Sequence, residues 1–277
     1  LCASCNACET VCPVAIPLPK LILEVRTRAA EAQGLGWKKR FAMAVLRRPR
    51  LFGATTRAAA WLRLSAPGGS WRRFPKFTTA PLRTRWTRVR EEPSPARIRS
   101  RVEGKRVSLF AGCLTDRISP ATGEAIVRVA RALGAEPIPI PAEHCCGLPA
   151  LNSGDRCTGR ALAERTVLAL SASDADYLVS GSTSCIAAIR DDYGPLFAGT
   201  DAEADWRRVR ERLTDFSTFV AEIARPDPLP RLGDDADAVT VHDACQSANA
   251  LGLRKEIRWI VTEFLGLRIA EMEESGA

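Results

Sequence analysis

Cysteine is the residue through which this sequence could do chemistry, and ten of them occur in 277 residues. Four stand in the opening run "CASCNACETVCP", as Cys2-x2-Cys5-x2-Cys8-x3-Cys12-Pro13. That spacing lets a short loop wrap a [4Fe–4S] cubane, each thiolate reaching a different iron. Pro13 then turns the chain away from the loop. Zinc is the competing ligand, but it favours paired CxxC knuckles or mixed Cys/His sets. In two-cluster domains the fourth cysteine of such a run serves the other cluster. On that reading Cys2, Cys5 and Cys8 hold one cluster and Cys12 serves a second, whose own run lies upstream of Leu1. In a single-cluster domain Cys12 closes the local site.

A second group is spread more widely. "AEHCCGLPALNSGD" places Cys145 and Cys146 side by side. A disulfide between neighbours is strained, because one peptide bond holds their Cα atoms closer than a bridge prefers. Adjacent cysteines can instead direct both sulfurs into one polynuclear cluster, and they suit a single zinc ion less well. Gly147 removes a side chain where a bulky group must approach. Cys113 and Cys185 each follow a strand-like run, as the doublet does, so the four should converge on one sheet edge. The bland alternative is four buried structural cysteines. His144 is a candidate for a hydrogen bond to a cluster sulfur. His242, beside Asp243 at a strand end, reads first as a satisfied structural histidine. Cys157 falls on a helix outside the pattern and reads as an ordinary helix residue.

The elements that must position these thiols are legible. "LPKLILEVRTRAAEAQG" spaces Leu18, Leu21, Ile22, Val25 and Ala29 as a helix stopped by Gly34. From residue 106 the pattern is α/β. "RVSLFAGC" is a buried strand ending at Cys113. "SPATGEAIVRVARALG" is a helix with Ser119 as N-cap, Pro120 at N1 and Gly134 as its stop. "AEPIPI" is a strand leading to the doublet, a helix covers residues 155–171, and "DYLVS" is a strand leading through "GSTSC" to Cys185 at the start of a further helix. In open α/β folds, loops at strand ends are where ligands bind.

The unit then restarts. "VSLFAGC" (107–113) is matched by "VTVHDAC" (239–245), and Cys113 and Cys245 each lie 21 residues before a glycine, Gly134 and Gly266. "LRIAEM" follows the second glycine as "AEPIPI" follows the first. This is an internal duplication. Cys113 precedes Cys145 by 32 residues, and the same step from Cys245 reaches residue 277. A second Cys-Cys-Gly is therefore expected just beyond Ala277, and the chain reads as a piece of a longer polypeptide, cut at both ends.

Composition bounds the rest. The chain is 46% hydrophobic and 26% charged, ordinary for a globular protein. No apolar run reaches the roughly 18 residues of a membrane span, and no signal peptide is visible. Short cysteine spacings in a chain this long argue for metal or cluster ligation in a reducing compartment, the cytoplasm, rather than a disulfide scaffold. Residues 1–110 carry a net charge of +17 and the remainder −9. Between Glu31 and Glu91 fifteen basic residues occur without an acid, interleaved with Trp37, Trp61, Trp71 and Trp86. This stretch reads as a partly helical linker with solvated charges, or as a docking surface for an acidic partner or the inner face of an anionic membrane. Nucleic acid is not expected, because no nucleic-acid fold signature accompanies the charge. "EEPSPARIRSRVEGK" (91–105) reads as a boundary. The organisation is thus a cysteine-rich segment over 1–34, a basic helical linker over 35–103, a first α/β repeat over 104–236 and the start of a second over 237–277.

"Cx31CCG…SxxC" followed by another strand–Cys unit resembles the cysteine-rich CCG domain. That domain occurs in the B subunit of heterodisulfide reductase, the glycolate oxidase iron–sulfur subunit and the anaerobic glycerol-3-phosphate dehydrogenase C subunit. The wording "LFAGCLTD…HCCGLPALNSGD…SGSTSC…VTVHDAC" is most similar to the lactate-utilisation iron–sulfur proteins. "CxxCxxCxxxCPVAIPLPKLILEVR" and the basic stretch resemble the C-terminal part of their dicluster ferredoxin partner. The resemblance implies a ferredoxin-like [4Fe–4S] segment fused to a duplicated open α/β CCG domain whose second repeat is truncated. It implies [4Fe–4S] ligation by Cys2, Cys5, Cys8 and Cys12 and by Cys113, Cys145, Cys146 and Cys185, with Cys245 opening the second set. It also implies electron transfer within a 2-hydroxyacid oxidation complex, L-lactate first, with other subunits as partners. One departure matters. Heterodisulfide reductase repeats end in CxxC, whereas Ser182 takes the first of those positions here. That favours a four-thiolate [4Fe–4S] site over an unusual cluster and argues against disulfide-reduction chemistry. No GxGxxG fingerprint follows a strand, and no His/Arg constellation for a hydroxyacid carboxylate is visible. A zinc- or thiol-based interaction module is the rival from another class.

Overall fold

The computed structural model describes residues 2, 4–62, 76–93, 95–140, 144–230 and 238–273. Trp71 of the basic stretch and the chain end at Ala277, where a second doublet is expected, lie outside them.

The three runs read as strands, joined by a fourth that sequence did not mark, form a four-stranded parallel sheet: β1 (Arg106–Leu109), β2 (Glu136–Pro139), β3 (Tyr177–Ser180) and β4 (Leu213–Asp215), in the order β2-β1-β3-β4. Val107, Ser108 and Leu109 of β1 and Leu178, Val179 and Ser180 of β3 are buried in succession because both faces of the sheet are covered. Val107 and Val179 face one layer with Phe219 and Val220. Leu178 faces the other, with Val167, Leu170, Ile189, Phe197 and Val209. Ser108 also turns to the buried side, where its hydroxyl meets that of Ser173 at 2.7 Å.

Up to β4 the α-helices run, in chain order, α1 (Ala7–Thr10), α2 (Leu18–Gln33), α3 (Trp37–Arg47), α4 (Pro49–Trp61), α5 (Leu82–Glu91), α6 (Gly112–Arg117), α7 (Pro120–Ala132), α8 (Leu148–Asn152), α9 (Arg156–Ser171), α10 (Thr183–Ala187), α11 (Gly194–Phe197) and α12 (Glu203–Arg212). Capping follows sequence in part. Asp155 accepts from the Thr158 N–H at 3.0 Å, and Gly34 and Gly134 take positive φ after their helices. Ser119 occupies the N-cap of α7 without a side-chain hydrogen bond, and Pro120 at N1 removes one donor that would need capping.

The basic stretch is more integrated than its composition conveys. Leu82 and Val89 of α5 are buried against α7. Arg85 and Arg88 pair with the buried Glu124 of α7, Arg83 with the buried Asp116 of α6, and Arg128 of α7 reaches back to Glu92. These arginines are held by partners, not merely solvated. Helix α3 rests on α9, where the Arg165 guanidinium donates to the Arg47 carbonyl at 2.6 Å. Among the described residues, no helix is long and apolar enough to cross a membrane.

The cysteine-rich N-terminus is tied to the sheet domain. Arg26 of α2 donates to the carbonyls of Cys2 (2.8 Å) and Asn152 (3.0 Å), and the Ser4 hydroxyl reaches the Asn152 side chain at 3.0 Å. The stripe that defined α2 in sequence, Leu21 and Val25 among it, stands exposed.

"VTVHDAC" does not form the strand expected of it. Its pairing is one parallel bridge, Val239 to Ile269. Two segments without further neighbours gain too little to extend a ladder. The bridge does have the register of the first unit, where Val107 pairs with Pro137 at the same separation along the chain.

A Cβ at Gly154, where φ is +82°, would lie 2.5 Å from the Arg26 carbonyl oxygen. Gly154→Ala should therefore push α2 off the domain and destabilise the chain by about 1–3 kcal/mol. Thermal unfolding, with faster hydrogen exchange over residues 18–33, is the check.

Candidate functional site

The strand order itself creates the site. After β1 the chain crosses to β2 on one side and later to β3 on the other, so the order reverses between β1 and β3. The crevice outside the carboxyl ends at such a switch point is where open α/β sheets bind ligands. Cys113 follows β1 in α6, Cys145 and Cys146 follow β2, and Cys185 follows β3 in α10. All four meet there. Cys146 and Cys185 sulfurs are 3.3 Å apart, and Cys145 shares hydrogen bonds with both Cys113 and Cys146. Cys145, Cys146 and Cys185 are buried and Cys113 is half-buried.

Crowding splits their acidities. Hydrogen bonds from the Cys113 and Cys146 thiols, together with the Gly147 N–H at 3.4 Å, hold Cys145 well below the usual thiol range. Cys185 is lowered by the Cys146 thiol and by the Ser182 hydroxyl, which donates to its sulfur at 3.3 Å. Cys113 and Cys146 are pushed up, first by serving as donors and then by burial. The sulfurs thus hydrogen-bond one another in a chain. A cationic centre would ionise all four, since thiolate is the ligand form.

The pocket fits such a centre. Gly112 takes φ +64°, and a Cβ there would come 3.4 Å from the Cys185 sulfur. Gly147 plays a different part from the one its sequence position implied. A side chain on it would meet the Gly159 carbonyl and Leu162 Cβ of α9, each at 3.0 Å. It lets the doublet loop lie on α9, and Gly112 is the glycine that clears space beside the sulfurs. Among the described residues, no set of three His, Cys, Asp or Glu side chains is arranged for a single metal ion.

His144 does not bond a sulfur. Its Nδ1 lies 2.9 Å from the Cys145 carbonyl, and its Nε2 is buried with no partner among the described residues. Burial lowers its pKa, and the charges of Arg165 and Arg83 add to that. His242 is exposed, contrary to the structural reading. The buried group beside it is Asp243, 1% exposed and gripped by Arg258 at 3.0 and 3.1 Å. Cys157 is exposed on α9, as an ordinary helix residue there would be.

Cys245 is half-buried. The helical turn it opens (Gln246–Ala250) packs against α10, which carries Cys185, and against α1, which carries Cys8. In the N-terminal run, Ser4, Asn6 and Ala15 adopt positive φ around the cysteines. The backbone N–H groups of Ile16, Val14 and Ala15 lower the pKa of Cys12.

Two further groups were invisible in sequence. Tyr193, fully buried, donates its hydroxyl to the Cys146 carbonyl at 2.5 Å. Asp192 beside it closes the turn after α10, and burial with Asp191 nearby raises its carboxyl to about 6.

With this geometry in view, comparison with known proteins identifies one domain. Residues 107–190 match the family model of the CCG cysteine-rich domain, so the chain carries such a domain. It is similar to the probable glycolate oxidase iron-sulfur subunit of Bacillus subtilis, 26% identical across 99% of this chain and 65% of that protein. It is similar to lactate utilization protein A 1 of Bacillus anthracis, 28% identical across 60% of this chain and 68% of the relative. The B subunit of the fumarate reductase (CoM/CoB) of Methanothermobacter marburgensis is 31% identical across 62% of this chain and 32% of its own length. The chain thus spans just under two thirds of the Bacillus subtilis relative. No solved structure matches it.

Tyr193→Phe leaves the Cys146 carbonyl buried without its donor and should cost about 1–3 kcal/mol in chemical denaturation. Asp192 ionises less readily folded than unfolded, so its contribution to stability is present below about pH 4 and lost as pH rises through about 6. Asp192→Asn should therefore stabilise the chain by about 2 kcal/mol near pH 8 and leave it unchanged near pH 4.

Proposed function

We propose that this chain is an iron–sulfur electron-transfer component of an oxidoreductase complex that oxidises a 2-hydroxyacid, L-lactate in the first instance. The observation that carries the reading is the convergence of Cys113, Cys145, Cys146 and Cys185 at the switch point of the sheet. The printed names of the relatives, an iron-sulfur subunit and a lactate utilization protein, supply the class of complex.

On this reading the four converging cysteines hold one [4Fe–4S] cluster. Cys2, Cys5, Cys8 and Cys12 belong to a ferredoxin-type segment. Such clusters supply one-electron transfer, tuned by hydrogen bonds to sulfur and by burial. The chain's own part is to keep water from the thiolates, to aim the Gly147 N–H and Ser182 hydroxyl at sulfur, and to fix the doublet through Tyr193. The turn Gln246–Ala250 touches the elements bearing Cys8 and Cys185, so it lies between the two cysteine groups. The matched register of Val107–Pro137 and Val239–Ile269 supports a duplicated unit, with Cys245 as the first ligand of its second set.

Partner subunits deliver and accept the electrons. The hairpin of α3 and α4 exposes Trp37, Phe41, Trp61 and Leu62 among lysines and arginines, which suits peripheral contact with an anionic membrane surface on the cytoplasmic side. Glycolate is the second substrate reading, favoured by the Bacillus subtilis relative.

Metal analysis after anaerobic purification tests the reading. Iron with equivalent acid-labile sulfide is expected, and zinc alone, with no iron after reconstitution, contradicts it. Ser182→Ala should move the reduction potential of one cluster to more negative values, because a donor to its ligand sulfur is lost. The complex assembled with its partner subunits should reduce an artificial acceptor faster with L-lactate than with glycolate. The reverse order selects the glycolate reading.

A further inference from the structure

A second site lies on the far side of His144. A cavity of about 800 Å³ is lined by the junction of α3 and α4 (Arg47, Arg48, Arg50), by Arg83, and by Arg165 and Leu168 of α9, with His144 in its wall. Its floor is apolar. Leu51, Leu168, Ala169 and Ala172 line it, and Leu168 is 70% exposed. No carboxylate lines it among the described residues.

Five guanidiniums around one cavity repel one another, and their field favours an anion. Two are fixed in place. Arg83 is braced by Asp116, and Arg165 by the Arg47 carbonyl. Arg47, Arg48 and Arg50 have no ion pair among the described residues. The first turn of α4 adds unpaired N–H groups behind Pro49 and carries no acid of its own. The His144 Nε2 is buried, with no partner among the described residues, so the imidazole meets the cavity through its carbon edge.

We propose that this cavity binds a small organic anion with an apolar body. Its carboxylate or phosphate lies among Arg48, Arg50 and Arg165, and its apolar body rests on Leu168. A bare inorganic ion leaves the apolar floor unused. The residues come from positions 47 to 168 of the chain, so no local motif announces them. The site does not depend on a cluster being held by the cysteines, although His144 adjoins Cys145 and a bound ligand would sit one residue from a proposed cluster ligand.

The test is a fluorescence titration of the whole chain with 2-naphthoate. Saturable one-to-one binding is expected. The double variant Arg48→Ala/Arg50→Ala should weaken it by about tenfold or more, and Leu168→Ser should weaken it several-fold. All three side chains are exposed, so circular dichroism should show both variants folded. Unchanged affinity in the arginine or the leucine variant overturns the proposal. So does binding only of phosphatidylglycerol vesicles with no binding of the soluble probe, which would make the cavity a lipid contact.

Discussion

Four sulfurs confined at one edge of a parallel sheet are the constraint around which this protein is built. Cys145 and Cys146 are each 2% exposed and Cys185 is 8% exposed, so water cannot solvate thiolate charge there. Packing four sulfurs together there without a cationic centre is costly. The surrounding structure accepts that cost and holds the arrangement in place. Tyr193 fixes the doublet, Ser182 and Gly147 direct donors at sulfur, and Gly112 leaves space beside Cys185.

The same constraint explains the layers outside the site. The doublet loop must lie tight on α9, which Gly147 permits, and α9 in turn supports α3. The α5–α7 ion pairs clamp the opposite side, next to α6 and Cys113. Arginines in the basic stretch therefore divide into two populations. Those of α5 neutralise buried acids, and those at the α3–α4 junction keep their charge for something outside the fold.

Much of this was legible in the sequence because it is local. Strand runs ending in cysteine, a proline and a glycine bracketing α7, and the unstrained alternative to a vicinal disulfide all point to the site without a structure. What was not legible depends on contacts between distant residues. Tyr193 reaches Cys146 across two elements, and nothing in "DDYGPLF" marks it. Gly112 reads as part of a strand end until the Cys185 sulfur is placed opposite it. His144 was expected to serve a sulfur, but its ring folds back to the nearest carbonyl instead. The second strand was read from pattern alone, and a strand also needs neighbours, of which Val239 has one.

The most direct measurement is electron paramagnetic resonance of the reduced, anaerobically purified chain beside its Cys146→Ser variant. Cys146 links the doublet to Cys185, so the variant should lose one iron–sulfur signal and keep that of the N-terminal cysteine segment. A spectrum unchanged by the substitution would contradict ligation by the converging cysteines.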